Sequence, residues 1–286
     1  MVSEFFDLEK KLSNQLVRLK ELGICAVKAE FEAEGASFRD LLRLRRFTAE
    51  QNIPHVEKNY VSVIYNEIDR PFTQYPDLLA KYLTARFKLD VNSQLLEVGC
   101  GRGDFLRGFI RCGLTCHGVD QSDAARKICP EAEIIQANIE KSLPYNDNRF
   151  DVIYSKSVVG HFYHPEKLIS EMHRVLKPGG ILITLTPAWE YVYKIFFNDW
   201  THRTPFSKTS LRDILRMHHF HEVQAEYFYQ LPIVWGNPWL IPLSKLIGRV
   251  TPWPMGNDIK FVRFSKEIMI LASAVKPVFE TPNVQP

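Results

Sequence analysis

LLEVGCGRGDF, Leu95 to Phe105, is the stretch whose reading decides the fold. Leu95, Leu96 and Val98 read as the end of a buried strand, and the following DFLRGFIRCG has helical spacing that stops at Gly113. Gly99, Gly101 and Gly103 therefore join a strand to a helix. Glycine reaches positive φ without strain and lacks the Cβ that would hold a ligand off the backbone, so the loop suits a cofactor. The spacing E-x-G-x-G-x-G, with Glu97 ahead of the first glycine, differs from the G-x-G-x-x-G of dinucleotide folds and from P-loops, which end in G-K-[ST]. A tight strand-to-helix turn alone would also use such glycines, so the rest of the chain has to decide.

Strand-like segments at about 94–98, 116–120, 132–138, 150–157 and 180–187 alternate with helix-like ones at about 104–112, 122–128 and 165–176. That rhythm predicts an α/β fold, an open parallel sheet with helices on both faces and ligands at the carboxyl ends of the strands. Residues 60–90 read as an aromatic lead-in and a helix, and another helix is expected near 208–218. EVQAEYFYQ and KEIMILASAV are strand-like and predict an antiparallel edge. The second strand, CHGVD, ends in Asp120, where a carboxylate can accept both ribose hydroxyl hydrogens of a nucleoside whose tail lies over the glycines. The third ends in QANIE, where Asn138 and the neighbouring backbone can read an adenine edge.

Composition sets limits. The chain has 286 residues, 45% hydrophobic and 24% charged, enough for one large domain plus additions. A net charge of +3 without long runs of like charge argues against a nucleic-acid footprint. Five cysteines without C-x-x-C pairs favour a reducing compartment, with the cytoplasm as the expectation. The opening MVSEFFDLEKKLSNQ has charges where a signal peptide needs an apolar core, and no apolar run is long enough to span a bilayer.

LLEVGCGRGDF, GVDQS, FDVIYSKSVVGHFYHPEKLISEMHRVLKPGG and SKEIMILASAVKP together resemble the class I S-adenosylmethionine (SAM)-dependent methyltransferases of the small-molecule methyltransferase-domain type, over roughly residues 60–276. The resemblance implies a Rossmann-like, mostly parallel seven-stranded sheet with an antiparallel edge, and SAM as cofactor. It places Gly99, Gly101 and Gly103 around the methionine moiety, Glu97 near its amino group, Asp120 on the ribose, and Asn138 with Ile139 at the adenine. Gln121 and Ser155, the latter at the mouth of the fourth strand, complete the expected cofactor contacts. Two positions depart from the family pattern: Asn138 stands where Asp is frequent, and Gly160 where a Glu commonly precedes the histidine.

A sulfonium is a good leaving group, so a methyl-transfer site mainly aligns donor and acceptor and removes a proton where the acceptor is a hydroxyl. His161 after the fourth strand and His202 in NDWTHRTPFS are the expected catalytic residues, against the plainer reading that they shape the pocket. Asp199 and His202 alone make a poor metal pair, and no metal is expected. SKSV stands where methyltransferases of planar nitrogens often carry P-P-[YFW], which leaves a hydroxyl or an activated carbon as acceptor. Tyr227 to Gly256 adds Trp235, Trp239 and Trp253 with Lys245 and Arg249. Such a segment suits sugar rings or a membrane interface, or is a cap that buries its own aromatics. The expected function is O-methylation of a sugar, glycan or other small hydroxyl substrate, as in surface polysaccharide biosynthesis. The alternatives are quinone or lipid C- or O-methylation, or a non-catalytic SAM-fold binding subunit.

Residues 1–58 show a heptad-like helix, a strand-like ICAVKAEFE and a helix SFRDLLRLRRFTAEQ. Residues 23–58 weakly resemble a strand-helix unit of an aldolase/citrate-lyase-type TIM barrel, with no barrel following. The expected division is a docking or dimerising extension over 1–58, a methyltransferase domain over 59–276 with an aromatic cap at 189–256, and a tail over 277–286. A homo-oligomer formed through the extension, and a peripheral membrane contact, go with that division.

Overall fold

Alternation along β1 (Gln94–Val98) sets the architecture seen in the computed structural model, which describes residues 60–65, 67, 70–253 and 259–278. Leu95 and Leu96 are both fully buried, yet they belong to different hydrophobic layers, because successive strand side chains point to opposite faces. A strand buried on both faces must be central in its sheet. Seven strands run in the order β3-β2-β1-β4-β5-β7-β6, with β2 at Thr115–Asp120, β3 at Glu133–Gln136 and β4 at Phe150–Lys156. The remainder are β5 at Leu176–Pro187, β6 at His221–Phe228 and β7 at Met269–Val275. β1 pairs in parallel with both β2 and β4, so the winding direction reverses between β1 and β4. A crevice opens at such a reversal, beyond the carboxyl ends of the strands.

Helices cover both faces. α1 (Tyr60–Ile64) belongs to the lead-in. α2 (Tyr75–Arg86) and α3 (Asp104–Arg111) bury Leu79, Leu83, Leu106 and Phe109 in the layer of Leu95, Tyr154 and Ile183. The short α4 (Ala125–Ile128) follows β2. α5 (Pro165–Val175) and α7 (Lys208–Met217) bury Leu168, Ile169, Met172, Leu211 and Leu215 with Leu96, Ile153 and Ile270. α6 (Trp189–Val192) begins the long connection out of β5. α7 starts on a capping box in which the Ser207 hydroxyl accepts from the Ser210 N–H.

The expected α/β fold with a mostly parallel sheet of seven strands is what the chain adopts. The antiparallel feature is more specific than an edge: β7 pairs antiparallel with both β5 and β6, so β7 is the reversed strand and the edge strand β6 runs with the others. This has a consequence for the insert between them, α8 (Pro232–Gly236), α9 (Ile241–Val250) and α10 (Lys260–Lys266). The end of β6 and the start of β7 both lie at the carboxyl end of β5, so the insert leaves and rejoins the sheet at the same end as the crevice. Three short helices, two of them opened by proline, give too weak a periodic signal to be read from sequence. The expected N-terminal extension lies outside the described residues, as does most of the expected tail.

Candidate active site

The cofactor half of the crevice is built by backbone. Gly99, Gly101 and Gly103 have φ of +74°, +53° and +86°, but they serve different ends. A Cβ on Gly99 would run into the Val158 side chain, and one on Gly103 would press on Ala125 and Cys129 at 3.1 and 3.2 Å. A Cβ on Gly101 would meet nothing within 4 Å. Gly101 is thus the glycine whose bare face looks into open space, the condition for a ligand lying against the loop.

Asp120 ties this loop to β2. Its Oδ2 accepts the Gly101 N–H and its Oδ1 the Ser122 N–H, each at 2.8 Å. Burial raises the Asp120 carboxyl, and the N–H groups of Ser122, Gly101 and Gln121 offset that. Each carboxylate oxygen keeps a second lone pair, so two ribose hydroxyls can still be accepted. Glu97 is 2% exposed, and its Oε2 has no hydrogen-bond partner. Burial, with Asp104 and Asp120 nearby, pushes its carboxyl well above the usual carboxylate range, while the Leu106 N–H and Lys156 act the other way. A buried carboxylate oxygen without a donor fits an incoming ammonium. Glu97, Gly101 and Asp120, the residues expected at the SAM tail and ribose, thus lie together at the ends of β1 and β2.

The other expected cofactor residues differ in setting. Gln121 is exposed, and its carbonyl accepts from Gln136 Nε2 at 2.9 Å. Asn138 is exposed, with Oδ1 turned onto the Glu140 N–H at 2.9 Å, while Ile139 beside it is buried. Ser155 lies fully buried within β4 opposite Thr184, and neither hydroxyl has a partner.

Two residues escaped the sequence reading. Arg102 donates Nη1 to the carbonyls of Tyr65 and Arg70, both at 2.8 Å, and pairs with Asp104, fastening the lead-in to the glycine loop. Lys156 ends β4 in the SKSV segment, 5.4 Å from the Phe105 ring centre. Burial lowers it to about 8, helped by Arg70 and opposed by Glu97 and Glu267.

The acceptor half is built by side chains. The Arg203 and Thr204 N–H groups donate to the Gly160 carbonyl at 2.8 and 3.0 Å, and Thr204 Oγ1 donates to the Phe162 carbonyl at 2.7 Å. This pins the loop after β5 onto the turn after β4 and brings His161 and His202 together, with ring centroids 4.7 Å apart. Thr201 Oγ1 donates to Asp199 Oδ1 at 2.6 Å and thereby accepts from His161 Nδ1 at 2.8 Å, giving a relay His161–Thr201–Asp199. Burial and the neighbouring His202 lower His161, while Asp199 acts to raise it. The His202 Nδ1–H is donated to the Phe196 carbonyl, and its ring stacks on Phe196 at 4.4 Å. A neutral His202 therefore carries its lone pair on Nε2.

His202 lines a cavity of about 130 Å³, walled also by Ser157, Phe196, Gln230, Glu267 and Met269, at the same strand ends as the glycine loop. His161 is not part of its lining. A larger open hollow of about 570 Å³ lies at the start of β6, at the opposite end of the sheet from the glycine loop. His161, Asp199 and His202 offer ligand atoms within 4.8 Å of one another, so the grouping is tighter than Asp199 and His202 alone implied. Its polar atoms hold the relay and the carbonyl bond just described.

Strand order and glycine loop together resemble a class I methyltransferase domain of the SAM-dependent type. Residues 96–184 match the family model described as Methyltransferase domain. The chain is 34% identical over 119 residues to a protein of Aspergillus luteorubrus named as a methyltransferase, ltbC, covering 35% of this chain and 41% of that one. It is 30% identical over 161 residues to the tRNA (carboxymethyluridine(34)-5-O)-methyltransferase of Arabidopsis thaliana, covering 53% and 38%. The chain thus spans about two fifths of the length of these curated relatives. A chain from the complex between the Haloferax volcanii Trm112 methyltransferase activator and a methyltransferase shares the fold, with a TM-score of 0.59 at 18% identity over 78% of this chain and 99% of that one.

Proposed function

We propose that the chain is a SAM-dependent methyltransferase that acts on a hydroxyl of a small molecule, a sugar or glycan in the first place. SAM supplies a methyl group on a sulfonium. Glu97 binds its ammonium, Asp120 its ribose, and the bare face of Gly101 lets its tail lie against the loop. Asn138, Ile139, Gln121 and Ser155 complete the cofactor side of the reading.

The observation that carries the hydroxyl reading is the His202 ring, fixed by the Phe196 carbonyl so that Nε2 is the basic nitrogen in the cavity wall. Nε2 takes the proton of the acceptor hydroxyl as the oxygen attacks the methyl carbon. An unactivated hydroxyl ionises far above neutral pH, so such a base typically contributes about 10² to 10⁴-fold. His161, held by Thr201 and Asp199, lies with its ring against that of His202 and keeps it in place. Gln230, Glu267 and Ser157 bring polar groups and Phe196 a flat apolar face to the same cavity, which together suit a sugar ring. The reading uses no metal. It goes with a reducing, cytoplasmic setting, supported by four free cysteines among the described residues, none of whose helices is long and apolar enough to cross a membrane.

Two measurements test it together. Titration calorimetry with S-adenosylhomocysteine is expected to give binding. Transfer of labelled methyl from SAM across a panel of sugars, lipid-linked sugars, phenols and amines is expected to favour hydroxyls and to survive dialysis against a chelator. Transfer confined to nitrogen or carbon acceptors would overturn the hydroxyl reading, and loss of activity with the chelator the metal-free one. Binding without transfer to any acceptor class would support the non-catalytic subunit instead.

A further inference from the structure

The insert between β6 and β7 is firmly held on one side and uncovered on the other. On the held side, Trp235 of α8 packs on Tyr82 and Phe228 at 4.9 and 5.4 Å and donates Nε1–H to the Tyr229 carbonyl at 2.7 Å. Ser244 of α9 is fully buried against Ser265 of α10, their hydroxyls 2.7 Å apart, and Gly248 lets the two helices meet backbone to backbone with no room for a Cβ. By contrast Ile233 of α8, Trp239 just ahead of α9, and Leu243, Leu246 and Val250 of α9 are 56, 73, 46, 56 and 65% exposed. Leu243, Leu246 and Val250 form one helical stripe, turned away from the Ser244–Gly248 stripe that meets α10. The pattern of a core helix is inverted here.

Charge says what covers this stripe. No Asp or Glu occurs between Glu226 and Asp258, whereas Lys245 and Arg249, one turn apart on α9, lie within that interval beside the stripe. We infer that this face, from Ile233 to Val250, docks on an anionic lipid surface. Exposed leucines, a tryptophan and flanking cations are the composition of a helix lying in a membrane interface. A second copy of the chain would set these cations against themselves, and residues 1–58 carry as many acidic as basic residues, so neither offers the complementary charge. The inference concerns binding to the surface and stands apart from the methyl-transfer reading.

The test is flotation of the intact chain with vesicles of phosphatidylcholine alone or with about one third phosphatidylglycerol. The chain is expected to float with the mixed vesicles and far less with the neutral ones. Leu246→Asp should reduce partitioning by about tenfold or more. The pair Lys245→Gln and Arg249→Gln should reduce it by roughly 25-fold, toward the level on neutral vesicles, at about fivefold per cation. S-adenosylhomocysteine binding or an unchanged circular dichroism spectrum shows that the variants are folded. Absence of flotation with either vesicle, or partitioning unchanged in both variants, overturns the inference. So does a wild-type dimer in sedimentation that Leu246→Asp dissociates while no vesicle binding is seen, because the stripe is then covered by a second copy.

Discussion

At the ends of β1 and β2 the chemistry rests on backbone geometry and two carboxylates close in sequence. At the ends of β4 and β5 it rests on side chains from a loop some forty residues further on. Gly101 and Asp120 meet because β1 and β2 are adjacent parallel strands. His161 and His202 meet because Arg203 and Thr204 are bonded to Gly160. The first arrangement follows from the sheet itself and suits a cofactor common to many enzymes. The second is specific to this chain's loops and suits an acceptor that differs among them.

The sharpest way to break the comparison is to remove the proposed acceptor-side base. His202→Ala is expected to lower turnover by about 10² to 10⁴-fold while S-adenosylhomocysteine affinity stays within about twofold. His161→Ala should lower it less, because His161 acts through His202. Thr201→Val, which cuts the relay to Asp199, should resemble His161→Ala. Calorimetry beside initial rates decides the matter: an affinity loss matching the rate loss would mean that the two halves are not separable.

Within the cofactor half, two glycines with similar φ should fail differently. Gly99→Ala puts a methyl into Val158 and is expected to cost about 2 to 4 kcal/mol of stability. Gly101→Ala adds its methyl to open space, so only the left-handed backbone opposes it, at about 1 kcal/mol. Its larger effect should be on cofactor affinity. Urea unfolding and calorimetry on both variants separate the roles, and equal stability losses would remove the distinction.

Asp120→Ala comes next. It removes both the proposed ribose acceptor and the tie to Gly101, and an affinity loss of about 1.5 to 3 kcal/mol is expected. Asp120→Asn keeps one acceptor oxygen and should lose less. Unchanged affinity in both would move the ribose away from β2.

What the sequence disclosed follows the same line. The strands of the parallel sheet were legible to within a few residues, because they are apolar runs bounded by glycine, proline and charge. Strand β5 starts earlier than expected, at Leu176, because its KPGG stretch extends the strand across a register shift in its pairing with β4. Glu97, Gly101 and Asp120 could be placed because their positions are fixed by strand ends. His161 and His202 could be named as residues but not as a pair, since the contact depends on carbonyl bonds of Gly160 that no spacing records. The relay through Thr201 had no signal at all, threonine being common in any loop. Helices α8 to α10 were missed as helices because their apolar residues are spent partly outward, which blurs the pattern that marks a core helix.

The smallest effect serves to keep fold and chemistry apart when pH is varied. His173 on α5 is packed edge-on against Phe220 at 4.9 Å, with its Nε2 buried and unpartnered. Burial, with Lys276 and then His219, His218 and His221 nearby, lowers it to about 4. A folded-state value below the unfolded one of about 6.5 means that the unfolded chain binds the extra proton first. The contribution to stability is therefore whole above pH 6.5 and is lost as pH falls toward 4. Because the ring is only half-buried, solvent screening brings the expected loss down to about 1 kcal/mol. Urea midpoints from pH 7.5 to 4.5 should fall, and His173→Gln should flatten that fall. The same variant should leave the pH dependence of turnover unchanged, because His173 is not one of the proposed catalytic pair and does not line the cavity. If His173→Gln instead removes the acid limb of turnover, acid acts on the fold and not on the base, and the division between the two halves of the crevice loses its kinetic support.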